Sequence, residues 1–218
     1  MDMLEIGAKI GVYYIPFLFA LCFHEFAHGY VAKMRGDNTA QMMGRLTMNP
    51  LSHMDMWGTV LLPIMALVFN SPVFFGWAKP VPVNPRNLIS PKKDMFWVAL
   101  AGPGSNVLLA LIAAIVIAVI VRFMPVTEAV RSFLHILRVF IVTNLFLAVF
   151  NMLPLNPLDG GKVLGRFLPL QWNNKLEQYE HVSGLILMAL VLTGALSILA
   201  IPVMWGSEFL MALAVGGN

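Results

Sequence analysis

His24, Glu25 and His28 stand in the stretch CFHEFAHGY, residues 22 to 30, and these three side chains together can do metal chemistry. On a helix His24 and His28 lie about 40° apart on one face, with Glu25 about 100° round from His24. Two imidazoles so placed can grip a divalent ion such as zinc, and a carboxylate beside it can take a proton from water. The surroundings sharpen the point, because residues 10 to 34 are otherwise apolar and long enough to cross a bilayer. Ionisable groups inside a membrane cost several kcal/mol unless they are paired, so they default to function. The plainer alternative is a structural polar cluster that joins helices.

A catalytic zinc takes a third protein ligand besides water. The extended HExxHxxGxxH signature is absent, since Val31 and Met34 occupy its Gly and His positions, and no Glu occurs between Glu25 and Glu128. The remaining candidates are Asp37, His53, Asp55, Asp94, Glu128 and Asp159. Asp159 is the best placed. It follows an apolar run in NMLPLNPLDGG, where Pro154, Pro157, Gly160 and Gly161 are expected to break the helix and turn the carboxylate inward. His53 and Asp55 are the rival pair, otherwise read as a solvated interfacial turn before Trp57. His135 and His181 read as helix-end residues near the head groups, and Cys22 as packing.

The composition says what must position these groups. Of 218 residues, 59% are hydrophobic and 11% charged, and the mean hydropathy is +0.78. A soluble domain would carry about 25% charged residues. The chain therefore reads as an all-α polytopic membrane protein, one domain over residues 1–218, with about five apolar helical segments. These are 10–34, carrying HExxH; 57–69, which is short; 94–123, interrupted by AGPGSN; 132–153, ending in the Asp159 loop; and 182–205, followed by a weak apolar tail. Within the region 57–88, residues 73–84 hold too many prolines for a helix and predict a small membrane-associated β-strand element.

A run of about 13 apolar residues is more often re-entrant than spanning. If 57–69 does not cross, ten of the fourteen Lys and Arg share one side and only Lys9, Arg122, Arg131 and Arg138 lie on the other. If it crosses, the division is six against eight. The positive-inside rule selects the re-entrant form, with the N-terminus outside and the basic loops cytoplasmic. That arrangement also returns Asp159 to the end of the first span where His28 lies. The N-terminus lacks the basic start and cleavage site of a secretory signal, so the first segment is expected to be retained. A formal charge of +3 is too small to suggest nucleic acid, and Cys22 alone cannot form an intramolecular disulfide.

HEFAH in one membrane helix, AGPGSN in a second and NMLPLNPLDGG ending a third together resemble the site-2 protease family of intramembrane zinc metalloproteases. FGWAKPVPVNPRNL is similar to the short prokaryotic members without PDZ or CBS domains, and the likeness runs from about residue 20 to 165. The resemblance implies one zinc ion held by His24, His28 and Asp159, with Glu25 as general base and acid. Asn106 and Asn151 match polar positions suited to holding substrate backbone or the oxyanion. It implies transmembrane proteins or peptides as substrates, membrane-anchored regulators or signal-peptide remnants, and a lipid bilayer as surroundings. The edge of the 73–84 strand is expected to receive an unwound substrate segment. Asn156 departs from the proline usual at its position, which implies a less rigid Asp159 loop. The competing functional classes are a membrane metal carrier, disfavoured by the absence of repeats or polar residues spread along several spans, and an inactive relative, disfavoured by the intact Glu25.

Overall fold

The computed structural model describes residues 2–69, 76–125 and 127–216. Among the described residues four helices are long and apolar enough to cross a membrane: α1 (Met3–Met34), α3 (Pro91–Phe123), α4 (Glu128–Asn151) and α8 (Ala195–Val215). Two shorter apolar helices, α2 (Met56–Val68) and α7 (Glu180–Leu192), and two short helices, α5 (Asp159–Gly165) and α6 (Leu170–Gln178), lie between these spans. Among the described residues there is no strand.

Helix α1 starts earlier than residue 10 because Asp2 accepts the Glu5 N–H at 2.7 Å and Glu5 pairs with Lys9 at 3.1 Å. Its second stretch, Ile10–Tyr14, is a wider π turn placed just before Pro16, a residue that cannot donate to the ladder. Helix α3 likewise starts earlier than 94, at Pro91, whose missing N–H costs nothing in the first turn. AGPGSN does not interrupt α3. The helix runs through Pro103 unbroken, and small residues on one side let it approach α1 and α4 closely.

Between α3, α4 and α8 lies a core of Ala110, Ala113, Ala114, Ile117, Ile141 and Leu210. A second core joins Tyr14, Phe17, Ala20 and Leu21 of α1 to Leu67 of α2 and Leu147 of α4. The opposite side of α3 leaves Leu108, Leu111, Ile112, Ile115 and Val119 exposed, a stripe suited to lipid.

Helix α2 begins where Asp55 accepts the N–H groups of Trp57 and Gly58 at 3.0 and 2.8 Å. At about 20 Å it is shorter than a hydrocarbon core of about 30 Å. The chain then comes back to its start: Trp77 N–H donates to the Gly58 carbonyl at 3.1 Å and Lys79 N–H to that of His53 at 2.9 Å.

Two further expectations are corrected. Residues 76–84 are irregular chain, not a strand, and residues 70–75 lie outside the described ones. Pro80 and Pro82 remove two of the N–H groups a ladder would need. The expected span 182–205 is also not one helix. Thr193 turns its hydroxyl onto the carbonyl of Ala189, and Gly194 takes φ +72°, a left-handed conformation that ends α7. The segment read as a weak tail is instead the fourth candidate span. Pro202 fits there because it falls in the first turn of the regular α stretch from Ala200.

Candidate active site

His24 and His28 sit one turn apart on α1, buried to 4% and 9% exposure, with their rings facing α3. His24 Nδ1 donates to Asn106 Oδ1 at 2.7 Å, and His28 Nδ1 donates to the Val98 carbonyl at 2.6 Å. Both acceptors lack a proton to give, so in each neutral ring the proton is on Nδ1 and Nε2 is bare. Asn106 is fixed in its orientation because its amide donates to Asn144 Oδ1 at 2.9 Å and to the Ala20 carbonyl at 3.2 Å. Asn144 in turn donates to the Phe140 carbonyl one turn back at 2.9 Å.

The third group arrives from α5. Asp159 is its first residue, 6% exposed, and Gly160 and Gly161 lie inside the first turn rather than breaking a helix. A Cβ on Gly160 would stand 2.3 Å from the Leu153 carbonyl oxygen, so only glycine lets this turn fold back against the end of α4. Asn156, the residue that departs from the family's proline, donates to the Leu176 carbonyl at 3.1 Å and so ties the loop to α6.

Asp159 Oδ2 stands 3.2 Å from each Nε2, and the two Nε2 atoms are 3.0 Å apart. Buried Oδ2 has no hydrogen-bond donor. Three lone-pair atoms therefore converge without a proton among them. Doubly protonating one ring would satisfy two of them, whereas a cation between them satisfies all three. A tetrahedral ion with bonds of about 2.0–2.1 Å asks for ligand atoms about 3.3 Å apart, close to the triangle observed. The donor set fits zinc.

Glu25, half-buried, points round the helix from the histidines, and its Oε2 accepts the N–H of Val81 at 2.7 Å. Val81 belongs to the irregular stretch after Gly76, which Arg45 clasps by donating to the carbonyls of Lys79 and Pro80 at 2.8 and 3.3 Å. Val81 is itself buried. One carboxylate oxygen of Glu25 is thus anchored and the other left for a ligand.

The remaining candidates lie elsewhere. Asp37, fully buried, accepts from the N–H groups of Thr39 and Asn84 and from the Asn87 amide, tying the end of α1 to residues 84–87. Burial pushes its carboxyl up, but those hydrogen bonds outweigh this and hold it below the usual carboxylate range. His53 contacts the Thr47 carbonyl through Nε2 at 2.8 Å. Asp55 caps α2, Asp94 pairs with Arg35 at 3.5 Å, and Glu128 pairs with Arg131 at 3.6 Å. Asn106 is 0% exposed and both its amide contacts are internal, so it faces the histidine rather than an open cleft. Asn151 donates to the Leu147 carbonyl on its own helix at 2.9 Å and is half-buried.

Sequence reasoning missed Asn144, although a lone Asn inside FIVTNLFLAV is the same signal of buried polarity that exposed the histidines. It also missed the Val98 carbonyl and Val81 N–H, which are backbone groups that residue type does not reveal.

Residues 12–132 and 120–194 match the model of peptidase family M50. The chain belongs to this family, the site-2 proteases. It is 35% identical over 181 residues to the Bacillus subtilis protein named "Putative zinc metalloprotease YwhC", covering 82% of this chain and 79% of that one. It is 30% identical over 203 residues to the protein of Mycolicibacterium smegmatis named "Putative zinc metalloprotease Rip2", covering 90% and 73%. A protein of Methanocaldococcus jannaschii named "Putative zinc metalloprotease MJ0611" is 33% identical over 153 residues, 69% of this chain and 66% of its own. No solved structure matches. Membership of M50 makes zinc the cofactor, and with four apolar helices this site-2 protease relative is a multi-pass membrane protein.

Proposed function

We propose that this protein is an intramembrane zinc endopeptidase that hydrolyses peptide bonds in or next to the transmembrane segments of other membrane proteins. The observation that carries the reading is the triangle of His24 Nε2, His28 Nε2 and Asp159 Oδ2, held by proton-bearing Nδ1 atoms on the far side of each ring. Zinc bound there supplies a Lewis acid and acidifies water. Glu25 takes a proton from the attacking water and returns it to the leaving amine. Its anchored Oε2 holds the free oxygen in place for both transfers. Asn106 orients His24, with Asn144 behind it, while Asn151 at the end of α4 is the polar side chain we assign to substrate backbone.

A substrate helix must be unwound before water can reach its backbone. The stretch after Gly76 runs beside Glu25, so it is the natural neighbour of an unwound segment. Its capacity for strand pairing is small. The N–H groups of Trp77, Lys79 and Val81 are already engaged, and Pro80 and Pro82 have none. Contact between these residues and substrate is therefore made by carbonyls and side chains more than by a full ladder. We place the basic loops, and with them the Asp159 end of α4, on the cytoplasmic side.

The test is cleavage of a model transmembrane peptide by purified protein in lipid nanodiscs, wild type against Glu25→Gln. The reading requires cleavage by the wild type, a rate lower by about 10²–10⁴ in the variant, and equal zinc in both. Undiminished cleavage by Glu25→Gln sinks it. Zinc uptake into sealed proteoliposomes, without cleavage by either protein in nanodiscs, would replace it with a carrier.

A further inference from the structure

The end of the bundle remote from the triangle carries a second group of ionisable side chains. Arg131, His135 and Arg138 follow one another at spacings of four and three, a single stripe on α4. With Leu134 they line one cavity of about 240 Å³. Leu134 packs toward the core of α3, α4 and α8, while the three basic residues are exposed.

Charge balance at this stripe is poor. From residue 95 to 158 the only acid is Glu128. It stands 3.6 Å from Arg131 and is itself 90% exposed, a contact of small energetic value. Among the described residues no carboxylate lies within ion-pair distance of Arg138. Arg138 is also deep for a cation. Ten residues separate it from Glu128, about 15 Å of helix, and α4 is about 36 Å long against a hydrocarbon core of about 30 Å. Its Cα therefore lies inside the apolar layer. Side chains on a helix lean toward its N-terminus, so the guanidinium rises along the stripe toward Arg131 and His135. Two guanidiniums and an imidazole thus line one cavity whose wall contains no carboxylate.

We propose that this cavity binds the phosphate of an anionic glycerophospholipid from the leaflet at the α4 N-terminal end. Guanidinium forks match phosphate oxygens in pairs, and His135 adds a further N–H donor. Leu134, in the wall of the cavity, gives the acyl chains an apolar neighbour. A free inorganic phosphate has the same oxygens but no acyl chains to occupy that surface. Six residues, about 9 Å of helix, separate Arg138 from Asn144, and no residue lining the cavity belongs to the triangle or to the side chains that hold it, so the site is distinct from the triangle. The bound lipid sets the depth of α4, the helix that carries Asn144 and leads into the Asp159 loop.

The experiment uses the full chain in nanodiscs of phosphatidylglycerol mixed with phosphatidylcholine, with retained lipid counted by native mass spectrometry after gentle delipidation. The wild type retains phosphatidylglycerol preferentially. Arg131→Gln combined with Arg138→Gln lowers that retention about thirtyfold, near fivefold for each arginine. Arg122→Gln, a control at the same end of the bundle, leaves it unchanged. Equal retention of the two lipids by the wild type overturns the proposal, as does full retention by the double variant. Displacement of the lipid by millimolar inorganic phosphate makes this a general anion site and overturns the lipid assignment. The wild-type lipid comparison and the phosphate competition decide the matter even where the double variant fails to fold.

Discussion

Replacing Gly102 by alanine adds one methyl group at the most sensitive point of the molecule. A Cβ built there stands 2.4 Å from His28 Nε2 and 2.6 Å from both His24 Cε1 and His28 Cε1. Ordinary contact begins near 3.4 Å, so the rings must retreat by about 1 Å, several times the tolerance of about 0.2 Å for a metal site. They cannot retreat freely, because each Nδ1 is tied at 2.6–2.7 Å to α3 itself, the same helix that carries the methyl. Displacing the donor atoms costs more than losing an outer partner, which alone weakens metal binding about 10–100-fold. Zinc affinity is expected to fall at least about 100-fold, and cleavage with it. The helix itself gains about 1 kcal/mol from the exchange, so the fold survives. Gly104→Ala is the matched control in the same AGPGSN motif, for nothing lies within 4 Å of its added Cβ. Zinc per chain, measured by mass spectrometry across a series of metal buffers, reads the difference. Wild-type zinc affinity in Gly102→Ala refutes the reasoning. Equal zinc loss in Gly104→Ala also does so, because the effect would then belong to the helix and not to the histidines.

Other perturbations separate the roles of neighbouring groups. Glu25→Gln keeps its bond from Val81 and its zinc but loses the base, and turnover falls by about 10²–10⁴, read as initial rate on a transmembrane peptide. Asn106→Leu leaves the Nδ1 proton of His24 without an acceptor, and zinc affinity drops about 10–100-fold in a chelator competition. Unchanged affinity would leave Asn106 a packing role only. Asp37→Ala unties residues 84–87 from the end of α1 and lowers the unfolding temperature, by an amount equivalent to about 2 kcal/mol or more. The carboxyl of Asp37 is held below its unfolded value, near pH 3.9, so its stabilisation is complete above that value and fades as pH falls through the folded one. The gap between wild type and Asp37→Ala should therefore narrow in acid. A gap independent of pH from neutral to strongly acid would contradict this.

Much of the site could be read from the chain because its chemistry is concentrated in side chains that apolar surroundings make conspicuous. The i, i+4 spacing of His24 and His28 says that they share a face, and the prolines and glycines around Asp159 say that a helix ends there. The structure brings these three together, though Gly160 and Gly161 work by permitting close approach to the Met152 and Leu153 carbonyls and to the Asn156 side chain rather than by breaking a helix. What escaped depends on backbone. Val98 and Val81 act through a carbonyl and an N–H, which no residue type announces. AGPGSN reads as a break, yet Pro103 is carried through because neighbouring helices hold the span around it. Gly194 reads as one glycine in an apolar run, and only its left-handed φ shows that two helices meet there. The prolines of 73–84 forbid a helix and its Val and Phe favour extended chain, but in 76–84 those same prolines and the bonds to Glu25 and Arg45 leave little ladder to form.

The most direct measurement is X-ray absorption at the zinc edge of the purified protein, with metal content determined on the same sample. One zinc per chain, bound by nitrogen and oxygen at about 2.0–2.1 Å with the outer-shell signature of two imidazoles, is the expected result, and Asp159→Ala should lose the metal. Sulfur at about 2.3 Å, which would implicate Cys22, or full zinc occupancy in a His24→Ala/His28→Ala/Asp159→Ala variant, would contradict the account.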